Sequence, residues 1–301
     1  MYIPFIKHRK IFYSISGVLV ILALLSIFLF GLKLGIDFTG GSSLEIAYQS
    51  TPPSSQEIKN ALKDLNLGEI IVQKSGERGV ILKMKDIDEE THQKILEKLK
   101  ELGEVEEGSE SFQSIGPTIG RELKQKTKIV ISLSLIAILV YIAFSFRRVS
   151  KPVKSYIYGI TSLIALGHDV LIPLGIFAIL GKFYGVEINI PIITALLTVF
   201  GYSINDSVVV FDRVRENLLK SQEPTFELTV EKSLNQTLTR SLYTSLTTLL
   251  VLFAIFFFGG ETLKYFSLAL ILGIGFGTYS SLFLATPLLV SYYLFKENRY
   301  K

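Results

Sequence analysis

The chain has 301 residues, of which 49% are hydrophobic and 19% charged, and its mean hydropathy is +0.44. That balance excludes a pair of ordinary water-soluble domains and points to a membrane protein. A net charge of +4 without a basic block argues against nucleic-acid binding, and with no Cys and three scattered His neither a disulfide, a zinc centre nor any other metal or cofactor is expected.

A helix needs about 20 apolar residues to cross a bilayer. Windows of that kind run from about Ile11 to Leu32, Ile129 to Phe146, Tyr156 to Leu180, Ile190 to Phe211, Ser241 to Phe258 and Phe266 to Phe295. The first follows Lys7, Arg9 and Lys10 and is not followed by a small-residue cleavage site, so it reads as an uncleaved anchor. Those residues, together with Arg147, Arg148, Lys151, Lys154, Arg213, Arg215, Lys220, Lys232, Lys296, Arg299 and Lys301, fall on one side. The short opposite loops hold Lys182 and Lys264. By the positive-inside rule both termini are cytoplasmic and the long segment after the first window is outside. The expected fold is a polytopic α-helical membrane protein with six transmembrane helices and one extracytoplasmic α+β domain. Its expected parts are 1–32 (N-terminus and first span), 33–127 (external domain) and 128–301 (five-helix bundle).

Residues 33–127 are charged, alternating and supplied with turns. Ser43 to Tyr48 reads as a strand, and Thr51-Pro52-Pro53-Ser54-Ser55 caps a helix from Gln56 to Leu65 with Ile58, Ala61, Leu62 and Leu65 on one face. Glu69 to Lys74 and Gly79 to Met84 form a hairpin pattern around Ser75-Gly76-Glu77-Arg78. Asp88 to Leu102 returns to helical spacing through Ile95, Leu96, Leu99 and Leu102, and Val105 to Ile115 reads as a last strand. The order β-α-β-β-α-β is the split-βαβ, ferredoxin-like pattern. His92 stands on a charged helix and reads as solvent-facing. No converging acid, base and nucleophile is visible, so the domain reads as a binding or lever element and the chain is not expected to be an enzyme. Gly35, Gly40 and Gly41 at the domain's start and Gly116-Pro117 at its end read equally as hinge positions or as plain turns.

Ionisable residues within spans are costly and usually face a partner, a cavity or a proton path. The fourth window reads GYSINDSVVVFDRVREN from Gly201 to Asn217, where three-four spacing puts Thr198, Tyr202, Asn205 and Asp206 on one face. The fifth carries a polar stripe of Thr237, Arg240, Thr244, Thr247 and Thr248, and the third holds His168 and Asp169 near mid-membrane. Asp206, Arg240, Asn205, Asp169 and His168 are therefore the candidate proton-relay residues. Plainer readings stand beside each. Asp206 and Arg240 would form an ion pair that merely pins two helices, and Asp169 would only hydrogen-bond a neighbour. The threonines with Gly273, Gly275 and Gly277 would be close packing. Asp212, Arg213, Arg215 and Glu216 read as a solvated cluster. In the proton reading, desolvation favours the neutral carboxyl and a guanidinium favours the charged one. Movement of Arg240 relative to Asp206 would then load and unload a proton.

Several stretches occur in a fixed order: GIDFTGG from Gly35 to Gly41, IGPTIGREL from Ile115 to Leu123, HDV from His168 to Val170, INDSVVVFDRVREN from Ile204, and NQTLTRSLYTSLTTLL from Asn235 to Leu250. Together they resemble the SecF family of the bacterial Sec export machinery, within the resistance-nodulation-division superfamily. The resemblance covers nearly the whole chain and departs at Tyr202 and Ser207, where Phe and Thr are common. It implies a bacterial inner-membrane subunit that pairs with SecD, associates with the SecY channel and uses the proton gradient to help pull or release preproteins after SecA has begun their passage. It also implies proton-transport roles for Asp206 and Arg240. The matching carboxylate of a SecD partner is not in this chain, so the chain alone is not expected to complete a proton path. The competing expectation is half of a proton-driven small-molecule or lipid exporter of the same superfamily. Such exporters usually carry two much larger external domains and twelve spans in one chain.

Overall fold

The structure is a computed structural model that describes residues 2–147, 152–220 and 223–299. Arg148, Lys151 and Lys301, part of the basic set above, lie outside the described residues. The chain divides into two compact units, Leu34–Ile129 and the remainder formed by Met1–Lys33 with Val130–Lys301.

In the smaller unit a short helix α2 (Ile36–Thr39) precedes β1 (Gly41–Ala47), α3 (Ser55–Ala61), β2 (Ile71–Ser75), β3 (Gly79–Met84), α4 (Glu89–Leu102) and β4 (Ser111–Ile115). The strands form one antiparallel sheet in the order β2-β3-β1-β4. Alternation decides the buried face. Leu44 and Ile46 of β1 and Val80, Leu82 and Met84 of β3 pack against Ile58 and Leu62 near α3 and against Ile95, Leu96 and Leu99 of α4. Ser54 starts α3 as the expected cap, in a reciprocal capping box with Glu57. Asp88 caps α4 through the Thr91 N–H at 3.0 Å. The last strand is shorter than its pattern suggested. Val105 contributes one isolated bridge to Tyr48, and Gly108, at φ +76°, lies in the turn before β4.

The glycines at the start and end of this unit pack against each other. Gly40 has φ +76°, and a Cβ placed there would lie 2.8 Å from Pro117 Cα. A Cβ at Gly120 would lie 2.9 Å from Gly40 N. Gly41 is likewise tight, 2.8 Å from Met84 O, whereas Gly35 has ordinary extended angles of φ −75° and ψ 176°. Gly40→Ala therefore combines backbone strain with a main-chain clash, and is expected to destabilise this unit by about 1–3 kcal/mol. The thermal transition of the purified chain reads this, with Gly116→Ala, whose Cβ would meet Asp86 Oδ2 at 3.7 Å, as the tolerated control.

Among the described residues six helical segments are long and apolar enough to cross a membrane. They are α1 (Arg9–Phe30), α5 (Pro117–Ser145), α6 (Ser155–Tyr184), α7 (Ile190–Lys220), α8 (Phe226–Phe258) and the run Leu263–Arg299. That last run joins most of α9 (Glu261–Ser280) to α10 (Thr286–Arg299) through a π-helical turn, Ser281–Ala285. Two helices start well before their apolar windows. α5 begins at Pro117, which suits a first helical position because the missing N–H has no acceptor there. α8 begins at Phe226, behind the cap of Thr225. In the larger unit α9 is the central element, in contact with α6, α7 and α8. Gly273 permits the approach to α7, since a Cβ there would stand 2.2 Å from a γ-carbon of Val199.

Candidate functional site

The polar centre of the larger unit is built from α6, α7, α8 and the junction of α9 with the π turn. Asp206 on α7 is 8% exposed. Its Oδ1 accepts a hydrogen bond from Ser241 of α8 at 2.6 Å, and its Oδ2 accepts from Ser281. Asp169 on α6 is fully buried, at 0% exposure. It accepts from Ser203 of α7 at 2.6 Å and from Ser280 of α9 at 2.7 Å, and its Oδ1 lies 2.9 Å from His168 Nδ1. The His168 ring stacks on Tyr279, whose hydroxyl receives a bond from Ser16 and donates to the Phe12 carbonyl. Pro173 on α6 has no N–H to donate to the carbonyl of Asp169 one turn earlier, so the helix ladder is interrupted at the acid. A separate chain of hydroxyls lies one turn further along α8. Tyr202 donates to Ser245, which shares a 2.5 Å bond with Thr278. His168 Nε2 and Ser207 Oγ are buried without a partner among the described residues.

The structure brings Asp206, Asp169 and His168 into the buried interior but leaves Asn205 and Arg240 exposed. Among the described residues no ion pair joins Asp206 to Arg240, and serine hydroxyls occupy both carboxylate oxygens. The reason is angular, because consecutive helical residues diverge by about 100°. The buried stripe of α8 runs through Ser233, Thr237, Ser241 and Ser245, so Arg240 points beside it. Thr244 and Thr247 are exposed and bond their own helix, Thr248 is half-buried, and of the expected stripe only Thr237 is buried. Asn205 is likewise turned away from Asp206 and does not share its face. Arg240 instead borders an open cleft of about 290 Å³, together with Asp212, Arg213, Glu216 and Thr237. The charges there pair along α7, Arg213 with Glu216 at 2.8 Å and Arg215 with Asp212 at 3.2 Å, as a surface cluster does.

Sequence reasoning missed Ser203, Ser241, Ser280 and Ser281, which hold the two acids. A four-residue repeat of small hydroxyls at 233, 237, 241 and 245 was the available signal for α8. His92 was expected to face solvent but is 3% exposed. Its ring stacks on Phe112 of β4 at 3.9 Å, and its nitrogens lie 3.1 Å from Glu89 and 3.1 Å from Glu110. Tertiary contact with β4 covers a helix position that local charge made look exposed.

Comparison with known proteins agrees with this architecture. Residues 94–294 match the family model "Protein export membrane protein SecD/SecF, C-terminal", and residues 25–52 match the "SecD/SecF GG Motif". The fold and these matches define a multi-pass membrane protein of the SecD/SecF class. SecF of Thermobaculum terrenum, a protein translocase subunit, is 43% identical over 303 residues, covering 96% of this chain and 94% of that one. SecF of Thermodesulfovibrio yellowstonii is 40% identical, with 96% and 94% covered. The chain belongs to the SecF family. Among solved structures, SecDF from Thermus thermophilus, a translocon-associated membrane protein, matches with a TM-score of 0.83 at 32% identity, over 97% of this chain and 39% of that chain. SecDF in its super-membrane-facing form matches with a TM-score of 0.70 at 31% identity, over 99% and 40%. The chain thus spans about two-fifths of the SecDF chains it matches.

Proposed function

We propose that this chain is a proton-coupled accessory subunit of Sec-dependent protein export, a transducer with no catalytic chemistry of its own. The observation that carries the proton role is Asp206, a buried carboxylate held by Ser241 and Ser281, with Arg240 next in sequence to Ser241 and facing an open cleft. A carboxyl so placed is shielded from bulk water on one side and within a short helix rotation of a cation on the other. Protonation then becomes sensitive to conformation. The SecF relatives and the translocon-associated SecDF support export as the process served. On this reading the partners are SecD, which supplies the opposing carboxylate, the SecY channel and an emerging preprotein. The chain sits in the bacterial inner membrane with both termini cytoplasmic, as the basic ends of its spans favour. The smaller unit, outside, is a ferredoxin-like domain, supported by its βαββαβ order and its β2-β3-β1-β4 sheet. Its hinge is formed by Gly35, Gly40, Gly41, Gly116 and Pro117, where Gly40 is seated on Pro117.

Vesicles containing this chain with SecD and the SecY channel test the proposal. A preprotein arrested late in transit should finish crossing faster when a proton gradient is imposed, and lose that gain when an ionophore collapses it. Completion at the same rate with and without the gradient would refute the coupling.

A further inference from the structure

Two consecutive serines serve two different buried acids. Ser280 donates to Asp169 of α6 at 2.7 Å, and Ser281 donates to Asp206 of α7. Adjacent helical side chains diverge by about 100°, so one segment reaches both acids only from the seam between their helices. Gly277, one turn earlier, helps place it there, since a Cβ at that position would meet Ser203 Cβ at 3.3 Å and Asp169 Oδ2 at 3.5 Å. At Ser281 the helix widens into the π turn, where Thr286 Oγ1 donates to the Ser281 carbonyl at 2.9 Å. Pro287 supplies the local cause, because it has no N–H and its ring excludes an α-helical carbonyl at residue 283. Single π turns are rare and concentrate at functional sites. Pro287 keeps a wide turn in this stretch but not its position, and moving the turn along the helix changes the register by one residue and would rotate the serines against the two acids.

We propose that Asp169 and Asp206 act as one proton-accepting unit, coupled through Ser280 and Ser281, and that the π turn changes register as the unit gains or loses its proton. The proposal rests on the proton-coupled reading above. Ser280 and Ser281 are positioning residues in it. A proton added to the Asp206 carboxylate replaces a charge-assisted bond from Ser281 by a neutral one, roughly half as strong. The hold on the first residue of the π turn loosens, while Ser280 keeps its bond to Asp169. Among the described residues the titratable or charged groups around the pair are His168 beside Asp169, Tyr279 stacked on His168, and Arg240 next to Ser241.

Infrared difference spectroscopy of the full chain in lipid nanodiscs tests this, reading the C=O stretch of the protonated carboxyls as pH is varied. Asp206→Asn and Asp169→Asn assign the bands. In a coupled pair, Asp169→Asn moves the midpoint of the Asp206 band by about one pH unit or more. Ser281→Ala should also displace that midpoint, and Ser281→Thr, which keeps the hydroxyl, should restore it. An Asp206 midpoint unmoved by Asp169→Asn and by Ser281→Ala overturns the proposal, even if export remains gradient-driven. Export indifferent to Asp206→Asn would remove the functional reading instead, while leaving the spectroscopic coupling as a separate measurement.

Discussion

Asp206→Asn is expected to abolish the gradient-dependent part of export while leaving the protein folded and assembled. The amide is nearly isosteric, its oxygen still accepts from Ser241, and its NH2 finds the Ser281 oxygen, whose hydroxyl hydrogen is free to rotate. What disappears is the titration. A charge crossing 100 mV is worth about 2.3 kcal/mol, equivalent to roughly 50-fold at about 1.4 kcal/mol per factor of ten. That figure is the ceiling for the stimulation one proton supplies, and the variant should lose all of it. Completion rates of a late-arrested preprotein, measured with and without the gradient, read the loss, with SecA-driven initiation as the internal control. Retention of the gradient response in the Asn variant would remove Asp206 from the mechanism.

The second large effect is structural. Gly273→Ala places a methyl carbon 2.2 and 2.8 Å from the two γ-carbons of Val199. Val199 is fully buried and β-branched, so it has no alternative rotamer of comparable energy to retreat into. Either α9 moves off α7 or the valine is strained, at an expected cost of about 1–3 kcal/mol. The same displacement would draw Ser280 and Ser281 from the acids, so gradient-driven export should fall together with stability. Val199→Ala in the Gly273→Ala background removes both offending carbons and should recover most of the loss, a coupling that a double-mutant cycle measures by thermal unfolding in detergent. Equal losses in the single and double variants would show that the contact is not what makes Gly273 necessary.

Much of this was legible from one dimension. The six spans follow from runs of apolar residues, and the strands of the smaller unit from alternation at Leu44, Ile46, Val80 and Leu82. Helix ends were less so. Lys124, Lys126 and Lys128 on α5 and Glu231 and Lys232 on α8 are good helix formers, but hydropathy windows exclude them, so both helices start earlier than the apolar signal. His92 was misread because nothing near it in sequence announces Phe112.

Hydropathy, spacing and motif order suffice for the membrane class, the number of spans, the family and the presence of acids within the spans, because each of these is carried by residue type along a line. Which hydroxyl meets which acid is a question of azimuth. One step along α8 separates Ser241, bonded to Asp206, from Arg240, open to the cleft, and that turn of about 100° is settled by how α7, α8 and α9 pack. The pairing of Ser280 with Asp169 and of Ser281 with Asp206 likewise exists only after three helices have converged on a π turn.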